Sequence, residues 1–293
     1  MGRIDPKEPT MRLNQYISHH SKYSRREADE LIKAGRVNIE KRKIENLATQ
    51  VKEDERVFID GKFLKEKSEE NYTVIVYHKP KGELVTKSDD RGRKTIYDSL
   101  PSGFKHFIPV GRLDFASEGL LLLTDSPKVA KALMESELER VYHLKIDKRV
   151  SPEMIKAMEE GLVLEDASAG GHEKSEIKSM SFSPFAGFEV AKDSPTHSKI
   201  KVAIKEGKNR ELRRFFAHFG AKVLDLKRVS YGWVSLNALP DGKNRYLNRS
   251  EYNKLHAFMK ELQKSEEKEK KPRKASYRSA TKSDSARAPR KKG

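Results

Sequence analysis

Cysteine is absent from all 293 residues, which excludes disulfides, cysteine–zinc sites and thiol catalysis. The absence agrees with a reducing compartment, and the expected location is the cytoplasm. Histidine is sparse and scattered. Of nine, only His19 and His20 are adjacent, and neighbouring side chains on a helix or strand point apart, so no metal site is expected. Long apolar runs are missing too. Leu120 to Leu123 is a short leucine run, against the roughly 20 residues that a membrane helix needs. Met1-Gly2-Arg3-Ile4-Asp5-Pro6 has no apolar stretch of the signal-peptide kind, so no membrane association is expected.

Acid is the other deficit. The 44 Asp and Glu residues face 61 Lys and Arg, a formal charge of +17. A surplus of that size favours a polyanion as partner, because bound phosphates release counterions. Hydrophobic residues make up 35% and charged residues 36%, enough for a core with part of the chain outside it. From Lys264 onward the chain has 8 Lys and 4 Arg against 4 acids and almost nothing apolar. Such a segment cannot bury enough surface to offset its ordering entropy, so residues 264–293 are expected to be a disordered basic tail. The remaining +9 still points to nucleic acid.

Residues 1–10 are polar and carry two prolines, as a loose leader would. Residues 11–64 form a compact unit by pattern. Ser24 and Glu27 have capping-box spacing, Ala28, Leu31 and Ile32 share one helical face, and Gly35 is placed to stop that helix. Strand-like stretches follow at Val37 to Ile39 and Val57 to Ile59. Residues 65–71 are a charged linker. Beyond it, Tyr72 to Tyr77 reads as a buried strand and Lys79-Pro80-Lys81-Gly82 as a turn. Further strands are expected at Ile108 to Val110, Leu120 to Thr124, Val141 to Ile146, Phe188 to Ala191, Ile200 to Ile204 and Val223 to Val229. Ser126-Pro127 and Ser151-Pro152 look like N-caps followed by proline, and Gly161 closes the second of these helices. Asn209 to Phe219 reads as a helix ending at Gly220. Single helices mixed with hairpins argue for an α+β fold over residues 72–263 rather than a regular βαβ repeat.

The stretch Gly111-Arg112-Leu113-Asp114 lies on a loop between two buried strands, ahead of Glu118-Gly119-Leu120. An aspartate fixed by rigid strands is a plausible catalytic position. On those facts alone, a turn-forming aspartate beside an ordinary ion pair is the simpler account.

Several separated motifs change that balance. Lys79-Pro80-Lys81-Gly82, Gly111-Arg112-Leu113-Asp114, Arg140-Val141-Tyr142 and Glu206-Gly207-Lys208-Asn209-Arg210-Glu211-Leu212-Arg213-Arg214 occur in this order. Together they resemble the RsuA/RluB/RluE/RluF group of ribosomal RNA pseudouridine synthases, across residues 11–262 and most closely its large-subunit type. The resemblance implies a small N-terminal α-L RNA-binding domain, then a mixed, mainly antiparallel synthase domain. It also implies that Asp114 is the catalytic carboxylate, Tyr142 the active-site tyrosine and Arg213 the partner of Asp114. The implied reaction breaks the C1′–N1 bond of a uridine, turns the uracil and rejoins it through C5. No atom is gained or lost, so no cofactor is expected. The base must leave its stack at a cost of a few kcal/mol, and Tyr142 offers a flat face to it. A guanidinium beside an ionised carboxylate orients and favours it.

Arg112, Arg210 and Arg214 are then expected to contact phosphate or the flipped base. In the N-terminal unit, Arg12, Arg25, Arg26 and Arg36 are the expected RNA contacts. Arg25 and Arg26 open a helix, where cations are unfavourable without a phosphate nearby. Glu40-Lys41-Arg42-Lys43 departs from the Asn-Gly or Asp-Gly turn usual in the group, and Asp125-Ser126-Pro127 departs after the leucine run. The expected partner is ribosomal RNA, with the 23S molecule favoured, and the chain is expected to be monomeric. The alternatives are a 16S target, or a non-catalytic RNA-binding factor in ribosome assembly.

Overall fold

A computed structural model describes residues 10–21, 23–52, 55–65, 72–172 and 175–270. The N-terminal unit begins with β1 (Thr10–Arg12), so the last residue of the expected leader already pairs in a strand. Helices α1 (Leu13–His20) and α2 (Arg25–Lys33) follow. Ser24 accepts from the Glu27 N–H and Glu27 reaches back to the Ser24 N–H, the reciprocal cap that the spacing requires. Next come β2 (Val37–Ile39), β3 (Arg42–Ile44), β4 (Gln50–Lys52), β5 (Val57–Ile59) and β6 (Lys62–Phe63). β4 pairs with β1, and the others form a sheet in the order β3-β2-β5-β6. Leu13, Ile17, Ala28, Ile32, Val37 and Val57 bury themselves completely between the helices and this sheet. At the β2–β3 turn Glu40 takes φ +53°, a conformation that normally favours glycine or asparagine. Its carboxylate is fixed there by the backbone N–H and the guanidinium of Arg56.

The larger unit starts with β7 (Val74–Lys79), then α3 (Ile96–Ser99), β8 (Ile108–Pro109) and β9 (Glu118–Thr124). It continues with α4 (Pro127–Glu135), β10 (Arg140–Ile146), α5 (Pro152–Glu160), β11 (Leu162–Leu164) and β12 (Met180–Phe182). β13 (Gly187–Asp193), β14 (Ser198–Ile204), α6 (Glu211–His218), β15 (Val223–Tyr231), β16 (Val234–Ser235), β17 (Asn244–Tyr246) and α7 (Arg249–Lys270) complete it. Ser126 and Ser151 each cap their helix from the position before proline.

The main sheet runs β13-β14-β10-β15-β9-β7-β17, antiparallel except where β15 and β9 lie parallel. One of its faces carries Ile75, Leu121, Tyr142, Leu144, Ile200 and Leu226, packed with α5 and α6. The other carries Val74, Val76, Leu120 and Leu122 under α4 and α7. β7 and β9 are buried on both faces, which explains why they read as continuous apolar runs instead of alternating ones.

Helix α7 runs to Lys270, past the Lys264 where the sequence reads as disordered. Residues 264–270 contain three Lys and three Glu, and Glu266 lies four residues before Lys270. Both residue types propagate helix well, so a helix already anchored by Leu255 and Met259 extends through them without a core of its own. The correction moves the start of any tail to residue 271. Residues 271–293, most of the linker and most of the leader lie outside the described residues.

Candidate active site

Asp114 sits on the loop joining β8 to β9, and that loop is tied at both ends. Val110 donates its N–H to Leu122 O, and Ser117 donates to Asp114 O. The turn after β7 holds it from beneath: Gly82, at φ +82°, donates to Phe115 O. Lys79 does more. Its side chain is fully buried, and its Nζ donates to Asp114 O at 3.1 Å, Ser117 O at 2.8 Å and Pro80 O at 3.0 Å. One ammonium thus satisfies two carbonyls of the candidate catalytic loop and one of the turn beneath it. Burial lowers its pKa to about 8, against the pull of Glu83, Asp114 and Glu118.

The carboxylate of Asp114 meets two guanidiniums, with Arg210 Nη1 and Arg213 Nε each 3.4 Å from Oδ2. Arg213 comes from the first turns of α6. It also donates to Val223 O at 3.0 Å and Ser117 Oγ at 3.2 Å, bridging helix, β15 and loop. Its Nε is buried and makes no aligned hydrogen bond, so Asp114 is its charge partner at that nitrogen. Arg210 stands just before α6 at φ +52°, and its Nε donates to Gly170 O at 2.7 Å. That left-handed residue aims its guanidinium away from the helix axis and towards Asp114.

Asp114 opens onto a cavity of about 510 Å³, a size typical of ligand clefts. Tyr142, on the inward face of β10, forms part of its wall, and exposed Arg112 stands at its edge. Directly opposite Tyr142 in the β10–β15 register is Arg228, 3% exposed. Its Nε donates to Leu120 O at 2.7 Å, while its Nη2 is buried with no hydrogen-bond partner. Arg140 lines the same space and donates to Tyr231 Oη at 2.9 Å. Glu211, at the start of α6, is the buried acid of this wall. Burial pushes its carboxyl up to about 7, against the Lys208 N–H that it accepts at 3.0 Å.

The structure therefore gathers Asp114, Tyr142, Arg112 and Arg210 around one cavity, with Arg213 behind Asp114. Arg214 is elsewhere. It is completely buried and donates to Asn209 O at 3.1 Å, Ser175 Oγ at 2.7 Å and Ala167 O. A guanidinium enclosed in this way braces Ala167 and Ser175 against α6, so the expected phosphate contact at Arg214 is corrected to a packing role. In the N-terminal unit Arg12, Arg25 and Arg26 are exposed. Arg36 is exposed as well, but forks onto Asp60 at 2.6 and 2.8 Å. Sequence reasoning passed over Lys79, Arg228 and Glu211. A lysine closing a strand that opens on a run of apolar residues was the one signal for the first, and nothing local marked the others.

Comparison with known proteins matches both units of the chain. The RNA pseudouridylate synthase family profile matches residues 73–218, and the S4 domain profile matches residues 11–57. An uncharacterized RNA pseudouridine synthase of Helicobacter pylori is 56% identical over 250 residues, covering 85% of this chain and 95% of its own. Ribosomal large subunit pseudouridine synthase B of Bacillus subtilis is 33% identical, over 84% of this chain and 96% of its own. A crystal structure of a pseudouridylate synthase superposes with a TM-score of 0.56 at 25% identity, covering 84% of this chain and 99% of that one. The chain belongs to the RNA pseudouridine synthases, with an S4 domain ahead of the synthase domain.

Proposed function

We propose that this enzyme isomerises a uridine of ribosomal RNA to pseudouridine, with Asp114 as the catalytic carboxylate and 23S rRNA as the substrate. The observation that carries the reading is Asp114 itself. It is held by two arginines and by a buried lysine under its loop, at the mouth of a cavity that an aromatic ring lines. The target nucleotide leaves its stack, and its uracil lies against Tyr142 for a gain of about 1–3 kcal/mol. Asp114 acts at the ribose while the N1–C1′ bond breaks. The base turns, C5 bonds to C1′, C5 gives up its proton and N1 takes one, so the nucleotide keeps its formula. Arg213 and Arg210 hold the Asp114 carboxylate in place. Arg228, with a donor to spare beside Tyr142, is available to a uracil carbonyl. Arg112 at the rim, with Arg12, Arg25 and Arg26 of the S4 domain, serves the phosphates. The preference for 23S rRNA rests on large-subunit relatives such as that of Bacillus subtilis. A cytoplasmic monomer is the working form.

Asp114→Asn is the direct test, because the amide keeps the shape and removes the charge. The variant is expected to bind rRNA as the parent does and to form no pseudouridine, read by carbodiimide labelling and reverse transcription. Product formation at the parent rate would remove Asp114 from the reaction. The same mapping on RNA from cells with and without the gene assigns the target. One stop missing from 23S rRNA is expected, and one missing from 16S rRNA would move the substrate to the small subunit.

A further inference from the structure

The face of the sheet that α4 and α7 cover over β7, β9 and the Tyr231 end of β15 continues over the rest of β15, β10, β14 and β13, where among the described residues no helix covers it. Side chains alternate along a strand, so this is the face opposite Tyr142, Leu144 and Ile200. Two rows of basic residues cross it. In the first, Lys192, Lys199 and Lys145 stand side by side on β13, β14 and β10. In the second, Lys201, His143 and Lys227 stand side by side on β14, β10 and β15. Strands lie about 4.8 Å apart and alternate residues about 7 Å apart, so the six form a tight grid.

Like charges directly opposite one another weaken a sheet, and Lys192, Lys199 and Lys145 are opposite one another along the first row, while in the second Lys201 and Lys227 flank the imidazole of His143. The mutual field is felt within the grid. After burial, Lys201 and Lys227 are the largest influences lowering the pKa of His143, and Lys145, Lys192 and Lys199 act likewise on His197. Carboxylates border the grid and none stands inside it. Asp225 is taken by Lys81, and Asp193 by Arg149. Glu189 and Glu118 stand at the two ends of the second row. Among the described residues, none of the five lysines has an ion-pair partner within 4 Å. Lys192, Lys199, Lys201 and His143 are exposed, with Lys145 and Lys227 half-buried between them.

We propose that this open sheet face is a second RNA-binding surface, gripping the sugar–phosphate backbone of a segment separate from the one that delivers the target uridine. The inference rests on rRNA being the substrate. A polyanion with closely spaced, fixed charges offsets the repulsion in a cation grid, and on the proposed function the target strand lies against the opposite face, leaving this one to another segment of the same RNA. The surface reads no bases: lysines on a flat sheet meet phosphates, so it contributes affinity and orientation.

The test is the full chain carrying Lys145→Gln, Lys199→Gln and Lys201→Gln. It is titrated with transcribed 23S rRNA and with a stem-loop cut around the mapped uridine. On the long RNA, binding is expected to weaken about tenfold near 0.1 M salt, and the slope of log affinity against log salt to fall by about 2. On the stem-loop, affinity and single-turnover isomerisation should match the parent. The matching triple Lys→Arg variant should restore binding to the long RNA. Unchanged affinity for the long RNA overturns the proposal and leaves an acidic protein as the occupant. Equal losses on both RNAs also overturn it, since the lysines would then act on the catalytic strand. Should the triple variant fail to fold, the exposed pair Lys199→Gln/Lys201→Gln gives the same readings. Binding and product are measured separately, so a failure here leaves the synthase reading standing, and a failure of isomerisation leaves this one testable.

Discussion

At the scale of single residues, Lys79 is the group whose surroundings say most about how the site works. A buried ammonium donating to three carbonyls is a positioning device, since it touches Asp114 through the backbone and not through the carboxylate. Lys79→Met removes all three bonds and leaves the loop free to drift, and a displacement of about 1 Å costs on the order of 100-fold in rate. The expected result is a fall in kcat with RNA affinity nearly unchanged. A structural role alone would not move the pH profile, but this one should. Above a pKa of about 8 the parent's Lys79 becomes an amine with two hydrogens for three carbonyls. Parent activity should therefore decline through that pH, and the Met variant should lack the step. The stability sign follows from the same shift. The unfolded lysine binds its proton more tightly than the folded one, so this residue's contribution to stability rises between about pH 8 and 10.5. A parent profile flat to pH 10, or a variant with full kcat, would remove Lys79 from the loop's support.

At the scale of elements, the site depends on a parallel contact in an otherwise antiparallel sheet. β9 must meet β15 so that the Asp114 loop, the Arg213 of α6 and the Tyr142 of β10 converge. That contact passes through Gly119, opposite Arg228, at φ +110°. A Cβ there would lie 2.2 Å from Arg228 O and 2.7 Å from Arg228 N, both of them backbone atoms. Gly119→Ala should cost about 2–5 kcal/mol from positive-φ strain and overpacking together. Urea unfolding should show a lower midpoint at an unchanged m-value, and activity should fall with it. An unfolding free energy within about 0.5 kcal/mol of the parent would mean that the strands part easily. Most elements were legible because their signals are local. Ser24 with Glu27, Ser126 with Pro127 and Ser151 with Pro152 announce their helices by backbone chemistry within four residues. Helix α7 was less so. Its apolar residues Leu255 and Met259 become a face only once β7, β9 and α4 offer a core to cover. Arg214 misled for the same reason, since sequence cannot say that Ala167 and Ser175 close over it.

At the scale of the molecule, the division of labour was visible in order and charge: an S4 domain, a synthase domain, then a basic segment. What stayed hidden is anything that depends on register, such as the alignment of Lys192, Lys199 and Lys145, which are up to 54 positions apart in the chain. The helical end of α7 also refines where the terminal charge lies. Residues 264–270 are neutral overall, so the +8 of the expected tail is concentrated in residues 271–293, with five Lys, four Arg and one Asp. Nearly half of the net charge of +17 is thus carried by 23 residues. If this segment meets RNA, it does so through counterion release and without base preference, so its contribution must fade as salt rises. Deleting residues 271–293 is expected to weaken rRNA binding most at low salt, and to flatten the salt dependence by roughly 0.9 for each duplex phosphate lost. Single-turnover isomerisation at saturating RNA should be untouched, because Asp114 and its partners lie outside the deletion. An unchanged salt slope would show that the segment makes no phosphate contacts. A slower chemical step with intact affinity would show instead that it reaches the active site. Combining the deletion with the lysine substitutions on the sheet separates the two basic surfaces. Losses in slope that add would mean two independent holds on the RNA.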